Sequence, residues 1–307
     1  MTTMFHVEKM RCSGCAKHVT EAVQAALPGA KIDIDLATGT VAVSPTPDQP
    51  ASVIKAIAEA GYTAHVAHDG DVWDADFRAR RQAARARLDA MNPHMTPEGD
   101  PSDPTGDRWF SKVYALANDD AANVPWAALE PNSLLMDWLA GQKTLSGKRA
   151  LDVGCGLGDN AEALAAAGAR VAAFDYIERA IDWAKRRYPN SLVDYRAADL
   201  LDPPHEWLGA FDIVHECYTL QTINEEMFMR AAHALASLVA PGGRLLVISA
   251  ARDEGEPQTT PWRPLTRADI ESLAVDGLVI EKLEDVPQEG YVSRRWRAIF
   301  SRENAPF

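Results

Sequence analysis

Residues 149–160 read RALDVGCGLGDN, an apolar strand followed by a glycine-rich turn and the start of a helix. The helix is predicted over residues 161–167, and a second strand over residues 170–174 ends at Asp175. Glycine adopts positive φ without strain and allows a backbone to approach a ligand closely. Because strands and helices alternate from Leu145 onward, we expect a parallel sheet with helices on both faces.

The alternation continues towards the end of the chain. Residues 193–200 are predicted to supply a third strand and the loop beyond it. We predict a fourth strand that starts at residues 211–214 and runs to 215–218, further strands over residues 244–249, 278–285 and 294–301, and a long helix over residues 225–238. Asp199 follows the third strand, and Pro241-Gly242-Gly243 forms a turn before the fifth.

The order and spacing of these segments resemble class I S-adenosylmethionine-dependent methyltransferases over residues 109 to about 302. The glycines follow the pattern Gly-x-Gly-x-Gly, and Asp159 stands where a dinucleotide fingerprint needs its third glycine. This departure disfavours a nicotinamide-dependent oxidoreductase, which stays an alternative. The resemblance implies an α/β, Rossmann-like seven-stranded domain that closes with a hairpin containing one antiparallel strand.

The resemblance also implies a cofactor site. It assigns Asp175 to the ribose hydroxyls and Asp199 to the neighbourhood of the adenine amino group. The set predicted to contact S-adenosylmethionine is Asp152, Gly154, Cys155, Gly156, Asp175, Tyr176, Asp199, Leu200, Glu216 and Trp126. Taken singly, Asp175 can instead cap a helix, and Cys155 can be a small packing residue.

Candidate catalytic residues follow the fourth strand, since ligands bind at the carboxyl ends of parallel strands. They are Glu216, Cys217 and Tyr218. The alternation of side chains along a strand puts His215 and Glu216 on opposite faces, so we expect one to line the cofactor and the other to pack. A cysteine at a strand end is ordinarily a packing residue, and a ligand role for Cys217 is the alternative.

An aromatic, proline-containing segment precedes this domain. It comprises Trp109-Phe110 and residues 124–131, VPWAALEP. The segment loosely resembles the lead-in of thiopurine, thiol and tellurite methyltransferases, where it covers cofactor and substrate. The resemblance favours a small, soft methyl acceptor, either a thiol or a metalloid.

The amino-terminal residues predict a second domain. Strand-like and helical patterns follow one another as βαββαβ within the first 70 residues, a ferredoxin-like layout. Met10-x-Cys12-x-x-Cys15 follows the first strand, and Gly61-Tyr62-x-Ala64 leads into the last. These motifs resemble the heavy-metal-associated domain of copper chaperones and mercury-binding proteins, over residues 1–68.

Two thiols separated by two residues can bind one soft cation, such as Cu(I), Hg(II) or Zn(II). Cys15 is expected near a helix amino terminus, where the positive end of the helix dipole favours the thiolate. Lys9 and Arg11 flank the pair, and such cations suit the net negative charge of a Cu(I)-dithiolate. The alternatives are a redox pair, and third ligands from His6 or His18.

Residues 69–108 are predicted to be a linker that separates the metal-binding domain, 1–68, from the catalytic domain, 109–307. The linker begins with an arginine- and alanine-rich helix over residues 74–91 and continues into a proline-rich loop. We expect this helix to be solvated; the alternative is a basic surface that docks on acidic groups of the same protein or a partner.

Composition restricts the possible functions further. The 31 Lys and Arg against 44 Asp and Glu give a net charge of −13, which argues against nucleic-acid binding. Neither a long apolar run nor a secretory signal occurs in the sequence, so we expect no membrane partner and a cytoplasmic location.

We therefore predict a methyltransferase acting on a small molecule, with a soft-metal module that regulates it or delivers metal. The expected partners are the methyl acceptor, the metal ion and a protein that exchanges metal. The alternative is a metallochaperone or metal sensor whose methyltransferase fold is degenerate.

Overall fold

The structure is a computed structural model. It describes residues 3–7, 10, 12–36, 39–45, 47, 50–67, 79–84, 86–87, 107–257, 263–287 and 293–303. Lys9 and Arg11, which flank the predicted metal site, lie outside these residues.

The amino-terminal unit is a four-stranded sheet with two helices. Its elements are β1 (Thr3–Val7), α1 (Ser13–Ala26), β2 (Lys31–Asp35), β3 (Thr40–Ser44), α2 (Pro50–Glu59) and β4 (Ala64–Ala67). The strand order is β2-β3-β1-β4, and each neighbouring pair is antiparallel. The predicted ferredoxin-like βαββαβ layout is confirmed.

Periodicity explains how this unit buries a core. In β1 and β3, alternate residues point to the helices, while in α1 and α2 buried residues recur four positions apart. The fully buried side chains are Phe5, Val19, Val23, Val41, Val43, Val53 and Ile57.

A helical linker segment, residues 79–84 and 86–87, follows this unit. Arg80 bonds the carboxylate of Asp120 at 2.8 Å, and Arg81 donates to the carbonyl of Ala127 at 2.7 Å. Ala84 is only 2% exposed. Most residues of the segment are exposed, as expected of a solvated helix, but Ala84 is buried and the arginines find acceptors in the chain that follows.

The carboxyl-terminal unit is built on seven strands. Its strands are β5 (Arg149–Val153), β6 (Arg170–Asp175), β7 (Asp194–Ala197), β8 (Phe211–Cys217), β9 (Val239–Ala250), β10 (Leu278–Pro287) and β11 (Arg294–Arg302). Its α-helices are α3 (Asp107–Ala117), α4 (Ser133–Ala140), α5 (Asp159–Ala166), α6 (Glu178–Arg187), α7 (Glu225–Leu238) and α8 (Arg267–Glu271).

The strand order is β10-β11-β9-β8-β5-β6-β7, with β11 antiparallel to both neighbours. The predicted seven-stranded sheet with one antiparallel strand is confirmed. The chain order reverses between β5 and β8, and ligands bind where such a reversal occurs in open α/β sheets.

The start of β9 differs from the prediction. The strand begins at Val239, five residues before the expected Arg244. Its pairing with β8 shifts register, and the extra residues 240–243 form an irregularity within the strand. A Cβ on Gly243 would lie 2.9 Å from the carbonyl oxygen of Phe211, so close backbone approach explains this glycine.

Separate apolar clusters cover the sheet. One contains Val214, Leu245 and Val247 with residues of α7, and the other contains Ile213, Leu246 and Ile248 with residues of α4 and α5. A third cluster joins α3 and residues 121–129 to α6. We call residues 107–129 the roof segment. Among the described residues, no helix combines the length and apolar character needed to cross a membrane.

Candidate functional site

The glycine-rich turn between β5 and α5 is held in a conformation that only glycine adopts readily. Gly154, Gly156 and Gly158 have φ angles of 63°, 53° and 94°. A Cβ on Gly154 would overlap the Thr219 hydroxyl, and one on Gly158 would lie 2.5 Å from the Tyr195 hydroxyl oxygen. Glycine is therefore required at these two positions for two reasons: the backbone has positive φ, and neighbouring side chains occupy the space of a Cβ.

Asp159, which replaces the third glycine of a dinucleotide fingerprint, has a structural partner. Its two carboxylate oxygens each lie 2.9 Å from the Arg187 guanidinium, and one also accepts the Tyr188 hydroxyl proton. The pair is largely buried, at 13% and 10% side-chain exposure. Asp159 thus ties the start of α5 to the end of α6.

The carboxylate of Asp175 lies at the end of β6 beside this turn. Its Oδ2 accepts the N–H of Gly156 at 3.0 Å, and its Oδ1 accepts the N–H of Ile177 at 2.9 Å. Each oxygen has a further lone pair for another donor. Burial raises the pKa of Asp175, and the two backbone donors act in the opposite direction. An open cleft of about 480 Å³ adjoins it, lined by Arg108, Ser111, Tyr176, Ile177, Glu178 and Arg179.

The roof segment brings aromatic rings to the glycine-rich turn. The indole N–H of Trp126 donates to the Tyr114 hydroxyl at 3.1 Å, and Phe110 packs edge-on against Trp126. A Cβ on Gly156 would lie 3.5 Å from that same hydroxyl. Tyr114 is 2% exposed, and burial followed by the nearby Asp175 charge raises its pKa.

Asp152 and His215 form a buried pair behind the turn. His215 Nδ1 lies 2.6 Å from Asp152 Oδ1, and both side chains are at most 1% exposed. They are neighbours in the ladder between β5 and β8. Both His215 and Glu216 are fully buried, because β8 is a central strand covered on both faces. That one of them lines the cofactor stays a prediction.

Glu216 organises the turn after β8. Its Oε1 accepts the backbone N–H groups of Thr219 and Leu220 at 2.5 and 2.9 Å. Burial raises the pKa of Glu216 to about 7, and the two backbone donors partly offset that effect. Its carboxyl therefore supports the loop from inside rather than facing the surface.

Cys217 and Tyr218 emerge at the carboxyl end of β8. Cys217 Sγ lies 3.3 Å from the side-chain amide of Asn132, and burial raises the pKa of its thiol well above the ordinary value. Tyr218 has a φ of 65°, a left-handed conformation that strains a bulky residue. Burial raises the pKa of Tyr218 to about 12, while Arg295 opposes the rise.

The two amino-terminal thiols lie together at the start of α1. Cys12 Sγ and Cys15 Sγ are 2.7 Å apart, and Cys12 caps the helix by accepting the N–H of Cys15. Neither is in a disulfide, and Cys12 is exposed. The Tyr62 side chain forms a hydrogen bond with Cys15, and this contact raises the pKa of the tyrosine. Within the described residues, no group of three or more His, Cys, Asp or Glu side chains could hold a metal.

Comparison with known families matches both ends of the chain. A heavy-metal-associated domain matches residues 4–63, and a methyltransferase domain matches residues 150–243. The chain carries a heavy-metal-associated domain and a methyltransferase domain.

Curated relatives of the methyltransferase domain include two ubiquinone biosynthesis O-methyltransferases. That of Aromatoleum aromaticum is 38% identical over 118 residues, 38% of this chain and 50% of that enzyme. That of Xanthomonas campestris pv. campestris is 35% identical over 144 residues, 45% of this chain and 59% of that enzyme. The chain thus matches little more than half the length of these relatives.

A solved structure shares the fold of the methyltransferase domain. The N-methyltransferase NodS from Bradyrhizobium japonicum WM9, in complex with S-adenosyl-L-homocysteine, has a TM-score of 0.51 at 20% identity. The match covers 62% of this chain and 98% of NodS. At this identity the similarity supports the fold alone.

The remaining predicted cofactor residues of the methyltransferase domain lie beyond β7 and β6. Asp199 is half-buried, and its Oδ1 accepts the N–H of Leu201 at 2.8 Å. Leu200 is 6% exposed and packs in the core cluster of α7. Tyr176 is 52% exposed at the rim of the cleft.

Sequence reasoning missed three polar groups at the edge of the methyltransferase sheet. Tyr114 reaches the glycine-rich turn from the roof segment, and its spacing of four from Phe110 was the available signal. Asn132, the N-cap of α4, and Arg295 of β11 approach Cys217 and Tyr218. No local motif marks these two residues, because they lie more than 160 positions apart in the sequence.

Proposed function

We propose that the chain is an S-adenosylmethionine-dependent methyltransferase of a small molecule whose heavy-metal-associated domain binds a soft metal ion. One observation carries this proposal most directly. The Asp175 carboxylate is fixed by the Gly156 N–H at the carboxyl ends of β5 and β6, beside an open cleft. A carboxylate there can accept hydrogen bonds from vicinal hydroxyls, as a ribose presents them.

The residues fit such a cofactor. Asp175 retains acceptor capacity, a Cβ position on Gly156 has no neighbour nearer than the Tyr114 hydroxyl at 3.5 Å, and Tyr176 offers an exposed ring at the cleft. S-adenosylmethionine supplies an electrophilic methyl group when it is bound. Trp126 and Tyr114 would exclude water from above the turn, and Asp199, beyond the end of β7, would accept a hydrogen bond from the adenine amino group.

We assign Asp152 and Glu216 to positioning. Asp152 fixes the strand that leads into the glycine-rich turn through its bond to His215. Glu216 fixes residues 219–220 through two backbone donors. Cys155 is 7% exposed, and burial raises its thiol pKa, which favours packing over chemistry.

The acceptor is proposed to be a soft thiol or metalloid, on the loose resemblance of the lead-in to methyltransferases of such acceptors. A hydroxyl acceptor is the second candidate, because the curated relatives are named O-methyltransferases. Cys217 and Tyr218 flank the acceptor position in either case. Their raised pKa values leave both groups protonated at neutral pH, so neither is a ready nucleophile.

Cu(I) is the proposed metal, with Hg(II) as the other two-coordinate candidate. Both accept two thiolates, whereas structural Zn(II) sites require four ligands, and Cys12 and Cys15 are the pair that the described residues provide. Delivery or regulation is proposed for the domain. The linker contacts support regulation, because Arg81 bonds the carbonyl of Ala127, next to Trp126.

Cofactor binding tests the proposal. The full chain should bind one S-adenosylhomocysteine by calorimetry, and Asp175→Ala should weaken binding at least about tenfold through loss of charged hydrogen bonds. Asp182→Ala, an exposed carboxylate on α6, is the control and should bind like wild type. Absence of binding by the wild-type chain would favour the metallochaperone or sensor alternative.

Turnover tests the acceptor. Thiols, catechols and metalloid oxyanions are incubated with S-adenosylmethionine and the full chain, with and without Cu(I), and methylated products are measured by mass spectrometry. Preferential methylation of a hydroxyl would replace the thiol or metalloid proposal with the second candidate. A Cu(I) effect that persists in the Cys12→Ser/Cys15→Ser variant would contradict regulation through the thiol pair.

A further inference from the structure

Arg295 lies at the amino end of β11, where this antiparallel strand meets the carboxyl end of β9. It is paired in the ladder with Ala250 and is 6% exposed. Its side chain shares the sheet face of Cys217, because residues 295, 297 and 299 of β11 alternate towards the cluster that contains Ile248. Arg295 is thus a buried cation at the carboxyl ends of the parallel strands, where the proposed acceptor position lies.

The hydrogen bonds of Arg295 are incomplete. Its Nη1 donates to Asn132 Oδ1 at 3.4 Å and its Nη2 to Ser133 Oγ at 3.3 Å, both long contacts, and a further side-chain hydrogen bond joins it to Tyr218. All three partners are neutral groups. The Nε of Arg295 is buried and has no acceptor. In the described part of the chain, no carboxylate forms an ion pair with it.

Neighbouring arginines of the same strand differ in this respect. Arg294 pairs with Asp253 and Asp285, and Arg297 pairs with Glu284 at 2.7 Å. A buried guanidinium without an anion is costly, since desolvation is then not compensated by a charge partner. Among the described residues, Arg295 is thus a buried cation whose charge partner is missing, and the anion of a bound ligand can supply that partner.

The surroundings of Arg295 point to a ligand site. Asn132 links the guanidinium to Cys217 through its side-chain amide, and Tyr218 stands beside them in its strained left-handed conformation. Strained residues of this kind cluster at binding and active sites. The backbone N–H of Asn132 is bonded to Asn160, at the start of α5, so the group also adjoins the glycine-rich turn.

We propose that Arg295, with Asn132 and Ser133, binds a carboxylate of the methyl acceptor and thereby selects small acidic acceptors. The inference rests on the proposed methyltransferase function and narrows its substrate class. Bidentate guanidinium–carboxylate recognition uses the Nε and one Nη donor, and Nε is the donor left without an acceptor. The other source of this chemistry is the carboxylate of the cofactor's methionine part, and the test separates the two.

The test compares carboxylates with their amides, which keep the shape and lose the charge. Mercaptoacetate is compared with mercaptoacetamide, and 3,4-dihydroxybenzoate with 3,4-dihydroxybenzamide, by calorimetry on the full chain with and without saturating S-adenosylhomocysteine. We expect at least one acid to bind about tenfold more tightly than its amide, as a charge-assisted hydrogen-bonded pair does. Equal binding of acid and amide in both pairs overturns the proposal.

Variants locate the effect. Arg295→Met should abolish the preference for the acid, and Arg295→Lys should retain part of it through its charge. Arg297→Met, which removes an arginine two residues along the same strand that already has a carboxylate partner, should leave the preference unchanged. A preference that persists in folded Arg295→Met, or is lost in Arg297→Met, contradicts the assignment.

S-adenosylhomocysteine binding distinguishes the two sources of carboxylate. Arg295→Met should bind S-adenosylhomocysteine with an affinity within about threefold of wild type. If this affinity instead falls by about tenfold while the preference for the acid is retained, Arg295 belongs to the cofactor site, and the acceptor proposal is overturned. If the wild-type chain binds no S-adenosylhomocysteine, the methyltransferase proposal fails, and the acid–amide comparison without cofactor still decides the role of Arg295. Thermal unfolding of the wild type with each acid and amide gives the same comparison without any substitution.

Discussion

The four cysteines divide into two pairs with opposite environments. Cys12 and Cys15 lie 2.7 Å apart at a helix start, with Cys12 exposed to solvent. Cys155 is buried within the glycine-rich turn, and Cys217 lies half-buried beside Asn132. Burial raises the pKa of both catalytic-domain thiols well above the ordinary value.

The difference supports the proposal that metal binding and methyl transfer occur at separate sites of this chain. A soft ion needs two accessible thiols that can lose their protons together. The proposed methyltransferase site instead consists of backbone donors, carboxylates and aromatic rings, and we assign its two thiols to packing. Four experiments can break or sharpen this contrast.

The largest effect is expected from removal of the exposed pair. Cys12→Ser/Cys15→Ser should reduce Cu(I) binding by the full chain from one equivalent to none, because no third ligand accompanies the pair in the described residues. Competition with a Cu(I) chelator measures the stoichiometry. His18→Ala, which removes an exposed imidazole on the same helix, is the control. Retained stoichiometry in the double variant would refute the assignment of the metal site.

Packing around the glycine-rich turn can be tested with two glycines of nearly equal φ. Gly154 and Gly209 have φ angles of 63° and 61°, but only the Gly154 Cβ would meet a side chain, Thr219. Gly154→Ala should destabilise the domain by about 3 kcal/mol through strain and overlap, and Gly209→Ala by about 1 kcal/mol.

Urea unfolding followed by tryptophan fluorescence isolates this effect, since all eight tryptophans lie outside residues 1–68. Adding Thr219→Ala should recover part of the loss in the Gly154 variant, as a double-mutant cycle would reveal. Equal destabilisation by the two glycine substitutions would mean that φ alone matters.

Alkylation compares the thiols directly. In reduced, metal-free protein, iodoacetamide should modify Cys12 and Cys15 about 100-fold faster than Cys155 and Cys217. Burial and a raised pKa suppress the thiolates of Cys155 and Cys217. Peptide mass spectrometry assigns each site, and urea should make all four reactive. Fast modification of Cys217 in native protein would reopen its role as a ligand or nucleophile.

The smallest effect concerns Glu216 and pH. Its pKa of about 7 in the fold exceeds its ordinary 4.5, so between these values the folded state holds a proton that the unfolded chain has released. Stability is therefore greatest below the lower pKa and falls as pH rises towards the upper one. From about pH 5.5 to about pH 8, the loss should be about 2 kcal/mol.

Glu216→Gln removes the titration and keeps an acceptor for the N–H groups of Thr219 and Leu220. Between about pH 5.5 and about pH 8, the free energy of unfolding of the variant should rise by about 2 kcal/mol relative to the wild type. Urea unfolding with tryptophan fluorescence measures this difference. Parallel pH profiles of the two proteins would show that Glu216 does not titrate in this range.

Local patterns were enough to predict most of the fold. Alternation in β1 and β3 and four-residue spacing in α1 and α2 predicted the ferredoxin-like unit, and the order of the later strands predicted the seven-stranded sheet. The start of β9 was missed, because its irregular pairing with β8 depends on a close approach between chain segments 30 residues apart. The acceptors of the linker arginines were not predictable for a similar reason, since helix propensity indicates a helix and not the groups that its side chains contact.

The sequence by itself determined the two domains, the thiol pair and the glycine-rich turn with Asp175, because each depends on residues close together in the chain. Only the tertiary structure decided that His215 and Glu216 are both buried, that Tyr114 reaches the turn, and that no carboxylate among the described residues pairs with Arg295. Burial and charge pairing are set by neighbours from distant segments. A local sequence pattern gives the type of side chain at a position, and only the packed fold determines which groups that side chain contacts.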